Sequence, residues 1–382
     1  MKIMHLGDLH IGKSVNGFSM IEDQIHVLNQ VKNYIRDYKP DVLVIAGDIY
    51  DRPQAPAAAV SLFSEFIAEV ALDLKTPIMG VAGNHDGADL ISYGSELLEK
   101  MNVHLEGRLN SVIKKVTLTD EFGPVNFYLL PFADYAVVRD VLNDKEVKSL
   151  HSATAAMLKH NPIDDTERNV LVTHAFVRGD ADVEQSESEK SLVVGGKEEV
   201  GLSLFEAFDY VALGHLHGSQ YVGKKHVRYS GTLLKYSFSE EYHKKSVTFI
   251  ELNKKGDVHC ELLDIKPLRN LRSIEGPLQT LLDNADPLTK HDFLRVVLTD
   301  DGELIEPMAK LRAVYPNVML LEFKNKMRDF TGATLSKEAR LSKSPIELFA
   351  DFYEGAKGEP LTDNRKAIVE EALQSLMGGE IE

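Results

Sequence analysis

Five short segments of this chain combine aspartate, asparagine and histidine at spacings that suit metal ions. They are Asp8-Leu9-His10, Gly47-Asp48-Ile49-Tyr50-Asp51, Gly83-Asn84-His85-Asp86, His174 and Gly214-His215-Leu216-His217. In extended backbone, residues two apart share a face, so Asp8 and His10 would lie on one face, as would His215 and His217. A glycine precedes Asp48, Asn84 and His215 and removes a Cβ where the chain must turn tightly beside an ion. The set holds oxygen and imidazole ligands and no thiolate, which suits manganese, iron, zinc or magnesium over copper(I). Its histidine content points to a transition metal. Two-metal hydrolytic sites commonly share one carboxylate between ions about 3.5–4 Å apart, and Asp48 is the candidate bridge. The chemistry expected is phosphoester hydrolysis. A single Asp-x-His would mean little; all five segments in this order, each after a strand, carry the reading.

The elements that must position these residues are legible around them. Apolar runs lead into every segment: Ile3–Gly7, Val42–Gly47, Ile78–Gly83, Val170–Thr173 and Val211–Gly214. Such continuous runs suit strands buried on both faces. In α/β sheets, sites collect at the carboxyl ends of the strands. Helices are expected over 23–38, with Ile25, Leu28, Val31 and Ile35 at helical spacing, and over 57–72. Further strands are expected at 126–130, 227–230 and 246–252. The fold class is therefore α/β. Near Lys266-Pro267 the pattern resets into a compact β-α-β-α-β unit. Residues 326–343 read as a polar linker. Ser344-Pro345-Ile346-Glu347 then opens a helix, with a capping serine, a first-turn proline and a returning glutamate. A second short helix follows, and two such helices need a surface to dock on. The expected division is 1–265, 266–325, 326–343 and 344–382. Residues 180–189, with Asp180, Asp182, Glu184, Glu187 and Glu189, read as a solvated acidic loop after His174.

Bulk properties narrow the classes. With 382 residues the chain exceeds one ordinary core. No apolar run approaches the roughly 20 residues of a membrane span, and no signal segment is read ahead of the first strand. Cys260 is the single cysteine, so no internal disulfide can form and a reducing cytoplasm fits. A net charge of −16 argues against an evenly basic nucleic-acid binder but leaves local patches open. The candidates are Lys114-Lys115, Lys224-Lys225 with Arg228, Lys244-Lys245, and Arg269 with Arg272.

The five segments together resemble the signature of the calcineurin-like metallophosphoesterases. Along its whole length the chain resembles the bacterial nuclease subunits that work with the coiled-coil ATPase SbcC in DNA repair, recombination and replication. The resemblance implies a four-layer α-β-β-α sandwich, a small β/α domain that caps DNA, and a helical tail that binds SbcC. By motif, it puts one metal on Asp8, His10, Asp48 and His217. It puts the other on Asp48, Asn84, His174 and His215. It makes His85 the catalytic histidine, outside the ligand set. It further implies two divalent ions, most often Mn2+, and 3′→5′ exonuclease action on double strands. Endonuclease action on hairpins and single strands is implied as well. A homodimer is expected, meeting near Ala57–Leu72 and Leu90–Met101, and assembled with SbcC into a heterotetramer. Arg52 follows Asp51 as in the phosphatase branch, where the arginine contacts phosphate; a structural salt bridge is the other reading. The alternatives are the same chemistry on a phosphoprotein or small molecule, and a scaffold without activity.

Overall fold

The computed structural model describes residues 1–179, 183–189, 199–324, 344–357 and 360–377. The linker expected at 326–343 and the acidic residues Asp180 and Asp182 lie outside the described residues. Contacts divide the chain into two units, Met1–Arg272 and Ser273–Glu382.

In the first unit the apolar runs form two six-stranded sheets. One runs β16-β15-β1-β4-β5-β6, with β1 (Lys2–Leu6), β4 (Val42–Ala46), β5 (Ile78–Val81), β6 (Val103–Glu106), β15 (Ser246–Leu252) and β16 (Val258–Asp264). The other runs β13-β14-β12-β9-β8-β7, with β7 (Lys114–Asp120), β8 (Gly123–Leu130), β9 (Arg168–His174), β12 (Tyr210–Gly214), β13 (Gln220–Val222) and β14 (Lys224–Tyr229). Strands β1, β4, β5 and β6 are parallel, as are β8, β9, β12 and β14. Parallel strands are buried on both faces, hence the unbroken apolar runs. Two short pairs lie outside the sheets: β2 (Ser14–Val15) with β3 (Phe18–Ser19), and β10 (Val177–Arg178) with β11 (Val200–Gly201).

The sheets pack face to face. Ile3, Val42, Val44 and Val81 of one meet Phe127, Val170, Tyr210 and Ala212 of the other in a single buried cluster. On the outside of the first sheet lie α1 (Ile21–Tyr38) and α2 (Ala57–Ala68); Tyr38 packs edge-on against Phe249. Ile25, expected on the buried stripe of α1, is exposed; Val27 takes the inward place beside Leu28, Val31 and Ile35. The apolar pattern permits either phase over one turn, and packing selects one. The helix α2 loosens into a π-turn over Glu69–Asp73. Two short helices follow β5: α3 (Ala88–Ile91) and α4 (Ser95–Glu99). The second sheet is covered by α5 (Tyr135–Leu142) and α6 (Leu150–His160), whose Val138, Leu150 and Met157 cluster with Leu171 and Leu213. The result is the four-layer α-β-β-α sandwich.

The second unit holds a three-stranded sheet, β17-β18-β19, made by Leu271–Gly276, Phe293–Leu298 and Val318–Phe323. The helices α7 (Leu278–Asp283) and α8 (Pro307–Val314) alternate with these strands and bury Leu278 and Leu311 against Leu294, Val296 and Val318. Further on stand α9 (Pro345–Lys357) and α10 (Asp363–Met377). At the start of α9 the Ser344 N–H donates to Glu347 Oε2 at 2.7 Å, closing the capping box.

Candidate metal centre

All five segments meet at one end of the sandwich. The loop after β1 runs beside the loop after β4: Asp8 N–H donates to Gly47 O at 3.0 Å and His10 N–H to Asp48 O at 2.9 Å. Asp8, His10, Asp48 and His215 all hold left-handed backbone, with φ of 54°, 45°, 49° and 112°. Side chains rarely adopt this conformation, and such strain concentrates at functional sites. Two glycines make the crossing feasible. A Cβ on Gly83 would stand 2.2 Å from Asp48 Oδ1, and one on Gly214 would stand 1.8 Å from Ala46 O.

The polar atoms converge tightly. Asp48 Oδ1 accepts from the His85 N–H at 2.8 Å, which leaves Oδ2 facing inward. That oxygen lies 3.8 Å from His10 Nε2, 3.5 Å from His174 Nε2 and 4.0 Å from His85 Nε2. Ligand atoms of Asp8, His10 and Asp48 lie within 4.8 Å of one another. Asp8 Oδ1 accepts from the His215 N–H at 2.8 Å, while its Oδ2 is buried with no partner. His174 Nδ1 donates to Ala46 O at 3.0 Å. Its Nε2 therefore carries a lone pair, yet it faces Asn84 Oδ1 at 2.8 Å. His217 Nδ1 faces Glu240 Oε1 at 3.0 Å, which leaves a lone pair on Nε2, 3.2 Å from His10 Nε2. Lone pairs facing each other, with a carboxylate oxygen unpaired among them, are what a cation between them would satisfy. The residues fit divalent ions.

The electrostatics agree. Burial, then the neighbouring Asp48 charge, pushes the Asp8 carboxyl well above its ordinary range. Burial likewise lowers His10, His174, His215 and His217 below the ordinary imidazole value. Neutral imidazole is the ligand form, and two buried carboxylates side by side call for positive charge.

His85 differs from the other histidines. Its Nδ1 donates to Asp51 O at 2.8 Å, and its ring stands edge-on to His10 with centroids 4.7 Å apart. Its Nε2 opens toward the space beside Asp48. His10, Asp51 and His85 also form a compact trio. Asp51 Oδ1, however, already accepts from Lys13 Nζ at 2.7 Å, and an ion there would have to displace that ammonium. Asp51 reads as an orienting residue.

Several further residues support this arrangement, all but Asp86 from outside the five segments. Asp86 takes backbone N–H groups of Ile49, Tyr50 and Gly83 at 3.1, 2.8 and 2.9 Å and so ties the loop after β4 to the loop after β5. Burial and Asp48 push it up to about 7. Its place in Gly-Asn-His-Asp was the available signal. Gln24 donates to His10 O at 2.7 Å, and Tyr236 OH to Leu9 O at 2.7 Å. Around His217, Glu189 Oε1 accepts its N–H at 2.7 Å and Lys245 Nζ donates to its carbonyl at 3.0 Å. Ser188 Oγ lies 2.6 Å from its Nδ1. Ser188 and Glu189 thus lie against His217, Ser186 reaches the same Glu240, and that part of the acidic segment is not a free solvated loop.

The basic patches are only partly free surface. Lys245 is buried and pairs with Glu240, Arg269 pairs with Asp23 and Glu22, and Lys114 pairs with Glu99 and Glu106. These three are structural cations. Arg52 is exposed, and among the described residues no carboxylate pairs with it.

Residues 1–219 match the profile of the calcineurin-like phosphoesterases, and residues 267–356 match one described as the type 5 capsule protein repressor C-terminal domain. The D component of the SbcCD nuclease of Staphylococcus saprophyticus is 33% identical over 381 residues, 99% of each chain. Its namesake from Staphylococcus epidermidis is 33% identical over 324 residues, 84% of this chain and 85% of the other. The chain belongs to the calcineurin-like phosphoesterases, metal-dependent hydrolases of phosphoesters, and within them to the SbcD family of nuclease components.

Proposed function

We propose that the chain is a manganese-dependent DNA nuclease subunit. In this reading it acts 3′→5′ on double strands and endonucleolytically on hairpins and single strands, together with an SbcC-type ATPase. The observation that carries it is the convergence of inward-facing Asp48 Oδ2 with the lone pairs of His10, His174 and His217 and the unpartnered Asp8 Oδ2. One ion would be held by Asp8, His10, Asp48 and His217, and the other by Asp48, Asn84, His174 and His215. When bound, the ions polarise the phosphate and lower the pKa of an attacking water toward ~7.

His85 is the catalytic residue. The Asp51 carbonyl holds its Nδ1–H, so Nε2 is the atom that handles a proton at the leaving oxygen. General acid–base help of this kind is worth roughly 10²–10⁴-fold. His85→Gln should therefore keep two manganese ions per chain and lose about that factor in cleavage of a labelled duplex. Wild-type turnover would remove His85 from the mechanism.

The DNA assignment draws on the family membership and on the second unit, which a small-molecule esterase does not need. Residues 266–325 are proposed as the DNA-capping domain, 326–343 as its linker and 344–382 as the SbcC-binding tail. Phe349, Phe352 and Ile368 are 37%, 57% and 66% exposed, in keeping with a helical pair awaiting a partner. Leu72, Tyr93, Leu97 and Met101 are 42–84% exposed along the segments expected at the dimer contact, which supports a homodimer within a heterotetramer. No described helix is long and apolar enough to cross a membrane, and a cytoplasmic location is proposed.

A further inference from the structure

Both sheets end on the same side of the sandwich, where β16 faces β13 and β14, and a cleft of about 970 Å³ opens between these edges. It lies away from the metal centre. Asp209 and Gly256 in its wall stand at the start of β12 and in the turn before β16, at the strand ends opposite the ligands.

Arg228 is the unusual group in this cleft. It pairs in register with Ala212, an inward-facing residue, so its side chain enters the space between the sheets. It is half-buried, and among the described residues no carboxylate pairs with it. Its Nε is shielded from solvent with no acceptor, and Nη2 has only Ser219 Oγ at 3.4 Å. A guanidinium carries five donors and a permanent charge, and leaving it shielded and unpaired is costly. The nearby acids are already engaged. Asp209 accepts from Asn169 N, Gly256 N and Lys255 Nζ, and Glu206 pairs with Lys224. Asp165 is the remaining acid and is exposed. Lys225 adds an exposed ammonium with no partner among the described residues, and Tyr221 adds a ring that is 51% exposed. In a chain of net charge −16, this cleft has positive charge left to satisfy.

We propose that the cleft binds a nucleotide unit, with Arg228 on its phosphate, Lys225 at the rim as an added positive charge and Tyr221 against its base. The guanidinium fork matches phosphate geometry, and an aromatic face accepts any base. The space far exceeds a bare anion. The nucleotide could be free or part of a DNA strand held away from the point of cleavage. The choice of a nucleotide among phosphate compounds rests on the nuclease reading; the anion site itself does not.

The test uses full-length protein in EDTA, which silences the metal centre. Fluorescence anisotropy follows a labelled thymidine tetranucleotide, with unlabelled tetranucleotide, thymidine monophosphate and inorganic phosphate as competitors. Arg228→Gln and Lys225→Glu should each weaken the binding by roughly tenfold or more, and Tyr221→Ala by about fivefold or more. Lys225 and Tyr221 are exposed, so their variants keep the test valid if Arg228→Gln does not fold. Displacement by the monophosphate at concentrations near those of the tetranucleotide identifies a free-nucleotide site. Displacement by the strand alone identifies a DNA contact. Displacement by inorganic phosphate as readily as by either leaves an adventitious ion only and overturns the proposal. So does wild-type binding in Lys225→Glu and Tyr221→Ala. A protein that binds in EDTA but cuts no DNA with manganese would refute the nuclease reading and leave this site standing.

Discussion

Glu240→Gln should weaken metal binding while leaving the domain folded. Glu240 is fully buried. One oxygen lies 3.0 Å from His217 Nδ1 and accepts from the hydroxyls of Ser186 and Ser188; the other meets Lys245 Nζ at 2.5 Å. Burial alone would raise this carboxyl, but the His217 hydrogen bond and the Lys245 charge outweigh it and hold it well below its usual range. A glutamine has one acceptor oxygen where the site needs two. Either His217 Nδ1–H or Lys245 loses its partner. Removing such a partner from a metal-binding histidine typically costs 10–100-fold in affinity, or about 1.4–2.8 kcal/mol. Alanine is the wrong probe, since stranding the buried ammonium costs about 3–5 kcal/mol of stability. The assay is calorimetric titration of metal-free protein with manganese, beside a thermal melt. Adding Lys245→Met should restore the melting temperature but not the affinity. If Glu240→Gln binds two ions as tightly as wild type, either Glu240 does not orient His217 or His217 is not a ligand.

Two other perturbations bear on the fold beneath the site. Gly214→Ala places a Cβ 1.8 Å from Ala46 O, so the crossing of the β4 and β12 ends must open. Metal-free protein should lose about 1–3 kcal/mol or more in denaturant titration, and a wild-type midpoint would show that the loops do not cross so closely. The Arg168 hydrogen bond holds the Asp120 carboxyl well below its usual range, with Nη2 at 2.5 Å from Oδ1. A depressed folded value gives stability that is complete above the unfolded carboxylate range, near pH 4, and is lost as pH falls through and below it. Asp120→Asn should therefore be less stable than wild type at pH 7, and the gap in urea midpoint should narrow toward pH 3. A gap that stayed constant would remove the charge from the explanation.

The residues that converge at the site were legible because each follows a strand whose burial is written in an unbroken apolar run. The backbone beyond the strands was not legible: Asp8, His10 and His215 hold left-handed conformations past the ends of β1 and β12, not the extended backbone that their spacing suggests. Edge strands were harder to read. Lys114–Asp120 alternates half-buried and exposed positions, and its polar sequence looks like a loop until β8 pairs with it. Supporting contacts were invisible for a different reason. Gln24 meets Tyr236 across 212 positions and Ser186 meets Glu240 across 54, and no local pattern encodes either meeting. The acidic segment shows how composition misleads. Its charges suggest solvation, while Ser188 and Glu189 turn inward to His217 and Ser186 to Glu240. Basic residues misled in the opposite direction, since Lys245 and Arg269 hold structural carboxylates.

The decisive measurement is cleavage of end-labelled duplex, hairpin and single-stranded DNA by the full-length protein, titrated with manganese. The duplex should shorten from its 3′ ends and the hairpin should be nicked. Both activities should be abolished by EDTA and restored by manganese. Hydrolysis of bis-p-nitrophenyl phosphate with all three DNA substrates left intact, in the presence of the ATPase partner, would contradict the nuclease reading and return the site to a small-molecule or phosphoprotein substrate.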